Sequence, residues 1–375
     1  MKIVLAPDKY KGSLTGLEFC NAVAEGIYAV IPHAEIVKLP LADGGDGTIE
    51  ILEHHLDGKR IQLNVNDPLF RKIKASYLFI EATATAFIEM AEASGMVLLK
   101  PEEQNCFQTT TFGTGELIKD AIDKGATTII LGIGGSATND CGIGMATALG
   151  YRFLDASEKE IIPIGKNLIN IRTIDASNVN KALNNITFKV ACDVTNYLYG
   201  KDGAAFVYAH QKGASDAEVK LLNKGLVHFS NIINNYFKID LQKIKGTGAA
   251  GGMGAGSLTF LNAELLSGID LVKELLNFDH LIQDADWIVT GEGKLDSQTL
   301  SGKTIHGVLT SAKKFNIPVA ALCGNILLSK NRLKDFGISY SSSMLDQALN
   351  IDDAMKNSNS YLKNMAMNFA KTINK

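Results

Sequence analysis

The sequence predicts an α/β protein in which a doubly wound parallel sheet, made from both ends of the chain, carries a second α/β domain inserted into it. Two observations lead there. Short apolar runs rich in branched residues alternate with amphipathic helices near both termini, and this alternation breaks in the middle of the chain. Residues 2–6 (KIVLA), closed by Pro7, form a buried strand. Thr15 and Glu18 stand at capping-box spacing. Leu14, Leu17, Cys20, Val23, Ala24, Ile27 and Ile31 follow at helical spacing, so a helix runs to about Pro32. EIVKLPL (35–41) is a second strand and Thr48 to His55 a second helix. At the far end, DWIVT (286–290) is a strand, 303–315 a helix, IPVAAL (317–322) a strand, and a last helix passes through Tyr361, Met365 and Phe369. Between them, 66–91 reads as strand–turn–strand and then helix, 115–124 as a helix feeding the strand 127–133, 186–193 as a strand and 216–235 as a long helix. The expected domains are therefore 1–65 with 281–375, and 66–280 inserted between them.

Composition narrows the class. At ~150 residues per domain, 375 residues suggest two or three domains. No apolar run nears the ~18 residues of a membrane span, and the opening MKIVLAPDKYKG lacks the apolar core of a signal peptide. A net charge of −3 gives no reason to expect nucleic acid as a partner. Five scattered cysteines, never in CxxC, fit a reducing cytoplasm and exclude a zinc framework. The deviation is glycine: 35 residues, clustered at 132–144 and 246–256, where the backbone must approach something closely.

In an open parallel sheet, ligands bind beyond the carboxyl ends of the strands. Those positions hold Asp8, Lys9 and Lys11; Asp43, Gly44, Gly45 and Asp46; the run GIGGSATND (132–140); Asp193, Thr195 and Asn196; and Gly291, Glu292, Lys294 and Asp296. Any one of these is explained by a helix cap or a turn. Together, carboxylates, lysines and glycine amides on one edge are what phosphoryl transfer needs: oxygen ligands for Mg²⁺, donors for phosphate, and an acceptor for the hydroxyl proton. Two other motifs come close. LSGKT (300–304) ends like a P-loop, but Ser297 stands where that motif needs glycine. Gly132, Gly134 and Ala137, with Asp155 beyond, have the form of a dinucleotide fingerprint, although Gly142 and Gly144 break its helix. His54 and His55 are adjacent and share no helix face for a metal. Glu89 and Glu92 read as a solvated face, and Cys141 and Cys192 as small buried hydrophobes.

APDKYKGSL (6–14), LPLADGGDGT (39–48), GIGGSATNDCGIGMATALG (132–150), ACDVTNYLYG (191–200), GTGAAGGMGAG (246–256) and TGEGKLDSQTLSGKT (290–304) together resemble the bacterial glycerate kinase family, and more narrowly its first class, named for the glyoxylate and glucarate pathways. The matching motifs run from residue 2 to about 325. Asp46 stands where the family often has glutamate, and Cys141 where it often has glycine. The resemblance implies transfer of the γ-phosphoryl group of ATP to D-glycerate, most simply at the 2-hydroxyl, with Mg²⁺. It also implies two α/β domains, one of them flavodoxin-like and discontinuous, flanking a cleft.

On that basis Asp193 is the first choice as acceptor of the hydroxyl proton and Asp296 the second. Lys11 and Lys294 are expected on the triphosphate or the glycerate carboxylate, and Asp43 and Asp46 on Mg²⁺. Amides of Gly134, Gly135, Ser136, Gly251 and Gly252 are expected to cradle anions, with Asp8, Gly291 and Glu292 also lining the phosphate or substrate site. The partners expected are a small-molecule substrate, no nucleic acid and no membrane, with homo-oligomerisation left open. Two alternatives stand beside this reading: an NAD(P)-dependent hydroxy-acid oxidoreductase resting on residues 132–155, and a non-catalytic hydroxy-acid sensor.

Overall fold

The computed structural model describes residues 1–10, 12–45, 47–296 and 304–374. The chain divides into two compact units, Met1–Asp43 with Ile269–Lys375, and Gly44–Gly268.

The first unit is a five-stranded sheet in the order Ile338–Ser343, Val319–Cys323, Trp287–Thr290, Lys2–Leu5, Glu35–Lys38, with every pairing parallel. Counted along the chain within this unit, the order is 2-1-3-4-5, the flavodoxin-like winding, and its switch point falls between the 2–5 and 287–290 strands. Ile3 pairs with Trp287 and with Ile36 across that centre. The helix Gly16–Tyr28 starts at the predicted capping box, in which Thr15 and Glu18 satisfy each other's backbone amides. Phe19, Val23 and Ile27 bury its inner face, and Gly26 lets Ser358–Ile373 pack closely: a β-carbon there would stand 2.4 Å from the carbonyl of Lys363. Phe369, from that last helix, meets Trp287 and Tyr340 with ring centroids 5.2 Å apart in each case.

The second unit is a six-stranded mixed sheet in the order Glu264–Leu266, Thr187–Ala191, Thr128–Gly132, Thr85–Glu89, Lys72–Ile80, Lys59–Asn66. The first four strands are parallel and the last two antiparallel. The helix Asp216–Phe237, capped by Ser215 and Glu218, buries Leu222, Leu226 and Phe229, and Phe229 joins Phe153 and Phe260 in an aromatic cluster.

Three expectations change. Residues 85–89 are a strand rather than part of a helix, because Ala86, Phe87 and Ile88 are buried on both faces of the sheet between strands 72–80 and 128–132. A further strand, Lys59–Asn66, pairs along its whole length with Lys72–Ile80. The helix Thr48–His55 packs on strands 72–80 and 85–89, so it belongs to the second unit. The chain crosses between units at Asp43/Gly44 and Gly268/Ile269 rather than at 65 and 281. Alternation of strand and helix does not reveal on which sheet a helix lies.

Candidate active site

In the first unit, polar groups converge at the switch point. The Asp8 amide donates to the Gly291 carbonyl at 2.8 Å, which binds the ends of the two central strands together. The Asp8 carboxylate accepts from the Lys9 amide at 2.7 Å and from the Thr304 hydroxyl at 2.6 Å. Burial, reinforced by the nearby charge of Asp43, pushes its pKa up from 3.8 to about 6. Glu292 is buried beside this edge, and its carbonyl accepts from the Gly324 amide. Gly291 has a packing reason to be glycine: a β-carbon would stand 2.0 Å from the Leu322 carbonyl and 2.8 Å from the Tyr10 hydroxyl, which itself donates to Leu322. Lys294 and Asp296 form an ion pair at 3.1 Å, with Lys294 largely exposed. Two sequence candidates, Lys11 and Asp46, and residues 297–303 of the near P-loop lie outside the described residues.

Asp8 and Asp43 suit a hard cation. Burial first, and the charge of Asp43 second, make Asp8 resist ionisation, at a strand edge where one or two carboxylates plus substrate phosphates would complete an oxygen shell. The sequence pattern points to Asp43 with Asp46; the structure places Asp8 close enough to Asp43 to feel its charge.

In the second unit, strand ends carry different chemistry. After Thr128–Gly132 the chain does not enter a helix but runs through a ten-residue loop before the helix Ile143–Ala148. The loop is fixed from behind. Met96 donates to the Gly135 carbonyl, Ala137 to the Ser94 carbonyl, and the Thr109 hydroxyl to the Ala137 carbonyl. Asp140, fully buried, accepts from the amides of Thr111, Gly142 and Gly144 and from the Thr111 hydroxyl. Gly134 and Gly135 are exposed, Gly135 at φ 68°. The amides of Gly134, Gly135 and Ser136 donate to no acceptor among the described residues. Behind Ser136 lies Lys212, 5% exposed, whose ammonium donates to the Ser136 hydroxyl at 2.6 Å and to the Thr138 carbonyl at 2.9 Å.

Gly251 and Gly252 are buried rather than open to an anion. With Ala250 they form a left-handed stretch inside the helix Ala249–Leu261. A β-carbon on Gly251 would stand 2.0 Å from the Thr138 carbonyl, and the Gly251 carbonyl accepts from the Cys141 amide. Their smallness lets this helix support the 133–142 loop. Cys141 is buried at φ 52°, a left-handed backbone position that glycine adopts more readily. Asp193 follows the strand Thr187–Ala191, is exposed, and accepts from the Gly268 amide at 3.0 Å.

Sequence reasoning misses four residues. Glu89 is not a solvated side chain: it is 7% exposed and accepts from the amides of Thr48 and Ile49 at the start of the 48–55 helix. Asp140 sits inside the motif GSATND, where the glycines carry the signal. Lys212 ends the short helical turn His210–Lys212 and carries no periodic signal; only its contacts mark it. Glu92 is half-buried and accepts from the amide and hydroxyl of Ser76, so it too is more than a solvated side chain. The dinucleotide fingerprint also fails. Its glycines open a loop instead of a helix, and the strand before Asp155, Arg152–Leu154, pairs antiparallel with Thr173–Asp175 in a separate two-stranded sheet.

The first unit is flavodoxin-like with acidic groups at its switch point, and the second is a mixed α/β unit with a glycine-rich loop beyond a strand end; phosphoryl transfer uses groups of both kinds. The model of the glycerate kinase family matches residues 3–374, and the chain belongs to that family. It is 42% identical over 368 residues to a glycerate kinase of Halalkalibacterium halodurans, covering 98% of this chain and 97% of that protein. It is 41% identical over 373 residues to a glycerate 2-kinase of Escherichia coli, covering 100% and 98%. A crystal structure described as putative glycerate kinase 2 of Salmonella typhimurium superposes with a TM-score of 0.89 at 40% identity, covering 100% of this chain and 98% of that one. The chain is thus a kinase enzyme with an α/β fold. No helix among the described residues is long and apolar enough to cross a membrane.

Proposed function

We propose that the protein transfers the γ-phosphoryl group of ATP to the 2-hydroxyl of D-glycerate, releasing 2-phosphoglycerate and ADP. The observation that carries the reading is the contrast between an acidic strand edge in one unit and an amide-rich edge in the other. The 2-hydroxyl assignment draws on the name of the Escherichia coli relative.

In this mechanism Asp193 takes the proton of the 2-hydroxyl as its oxygen attacks the γ-phosphorus, and the bond to the β-phosphate oxygen breaks. Asp193 suits the task because it is exposed at a strand end and oriented by the Gly268 amide. Asp296 is the weaker candidate, since its carboxylate is held against Lys294. Asp8 and Asp43 would hold Mg²⁺, which when bound neutralises phosphate charge. Lys294, Lys11 and the edge formed by Gly291 and Glu292 would serve the polyphosphate. Asp46 would extend the metal set, and Gly134, Gly135 and Ser136 would bind an anion through their amides. A cytoplasmic location accords with the five thiols, none in a disulfide among the described residues.

The test is a coupled assay of ADP release with ATP, MgCl₂ and D-glycerate, followed by NMR of the product. Release that requires all three and yields 2-phosphoglycerate is expected. The 3-isomer would overturn the regiochemistry, and turnover of NAD(P)H with hydroxypyruvate but none of ATP would overturn the reading itself.

A further inference from the structure

Lys212 is the second unit's most unusual group. Its ammonium is buried, and a Lys ammonium has three protons to place. Two go to neutral acceptors, the Ser136 hydroxyl and the Thr138 carbonyl. Among the described residues no carboxylate lies within ion-pair distance of it. Asp140 influences it from further off, but the Asp140 oxygens are already occupied by four donors. Burying a cation without a directly bound counter-charge is costly, and the field it creates is barely screened. That field emerges where Ser136 meets Gly134 and Gly135, whose amides meet no acceptor among the described residues. A buried positive charge behind a row of N–H groups that no acceptor among the described residues engages makes an anion site that is complete only when its ligand arrives.

Resting on the reading above, we propose that Lys212 is the positioning residue and buried counter-charge of an oxyanion site formed by the amides of Gly134, Gly135 and Ser136, and that this site takes the carboxylate of the acceptor substrate. The alternative occupant is a nucleotide phosphate. A carboxylate is favoured because one cation, acting through a serine, matches one negative charge, whereas a polyphosphate requires the metal-binding carboxylates that belong to the other unit. Lys212 acts through the loop: it fixes the Ser136 hydroxyl and the Thr138 carbonyl so that the neighbouring amides face outward.

Burial pushes the Lys212 pKa down to about 8, against the opposing pull of Cys106 and Asp140. These are the titratable groups facing it; Glu218 lies beyond Cys106, whose thiol burial pushes up to about 11. Affinity for D-glycerate should therefore weaken as pH rises through about 8, while a variant without the amine should lack that alkaline limb.

The experiment compares Lys212→Met and Ser136→Ala with the wild type by steady-state kinetics in both substrates from pH 6 to 9. Lys212→Met should raise KM for D-glycerate by about 10- to 100-fold, as expected for losing a charge-assisted contact, and leave KM for ATP within about twofold. Ser136→Ala, which keeps every backbone amide, should raise the glycerate KM by a smaller factor of about 3–10. An unchanged glycerate KM in folded Lys212→Met overturns the proposal. A rise confined to ATP overturns the carboxylate assignment. Should Lys212→Met fail to fold, an unchanged glycerate KM in Ser136→Ala overturns it instead. Failure here is separable from failure of the functional reading, because that reading falls only if the wild type does not phosphorylate D-glycerate.

Discussion

The two units end their strands in opposite ways. In the first, the switch point between strands 2–5 and 287–290 buries Asp8 beside the charge of Asp43, which pushes its pKa up to about 6. In the second, the loop after strand 128–132 presents amides backed by a buried ammonium. The same architectural rule, ligands beyond the carboxyl ends of parallel strands, thus meets carboxylates at one edge and backbone amides at the other. The difference lies in loop construction. A carboxylate edge needs only short turns, whereas an amide edge needs a loop whose carbonyls are engaged from behind.

The largest expected effect concerns the second edge. Asp193→Asn should lower kcat by ~10²–10⁴ while KM for ATP changes little, because asparagine keeps the shape and loses the proton acceptor. A near-normal kcat would remove the base from this edge, and recovery in excess Mg²⁺ would make Asp193 a metal ligand, merging the two chemistries. Next comes the support of the loop. Gly251→Ala places a β-carbon 2.0 Å from the Thr138 carbonyl at a residue with φ 69°. A loss of about 3 kcal/mol or more in urea denaturation is expected, as for other buried overpacking with backbone strain. A loss under about 1 kcal/mol would mean that the helix does not brace the loop.

Asp8 sharpens the contrast through pH. Its folded pKa, about 6, exceeds its ordinary value of 3.8. The folded state therefore holds the proton more tightly than the unfolded chain, and Asp8's contribution to stability is lost as pH rises from about 4 to 6. Activity should run the other way, falling below about pH 6 as the carboxylate is neutralised. Asp8→Asn should then stabilise the protein at pH 8 by on the order of 1–2 kcal/mol while impairing turnover. Thermal melting at pH 5 and pH 8 checks this: a variant less stable than wild type at pH 8 would show that the charge is already compensated. The smallest effect belongs to the partly exposed pair Lys294–Asp296. Asp296→Asn should change stability by less than about 1 kcal/mol and kcat only modestly.

Much of this is legible in the sequence. The capping box at Thr15 and Glu18 and the buried strands at 2–5, 287–290 and 319–323 follow from periodicity and local chemistry alone. What is not legible depends on contacts between segments far apart in the chain. The helix 48–55 continues the terminal alternation in sequence, yet its first amides are held by Glu89, forty residues on. Lys212 reaches back seventy-six residues to Ser136. Gly251 and Gly252 look like a ligand cradle in sequence and prove to be the place where a helix touches a loop, because a glycine required by close packing and one required by a ligand look the same in sequence.

The division of labour between the two edges is tested most directly by calorimetric titration of Asp8→Asn and Ser136→Ala with MgATP and, separately, with D-glycerate. A crossed pattern is expected, with Asp8→Asn weakening MgATP alone and Ser136→Ala weakening D-glycerate alone. Equal weakening of both ligands in both variants, or the reverse pairing, would contradict it.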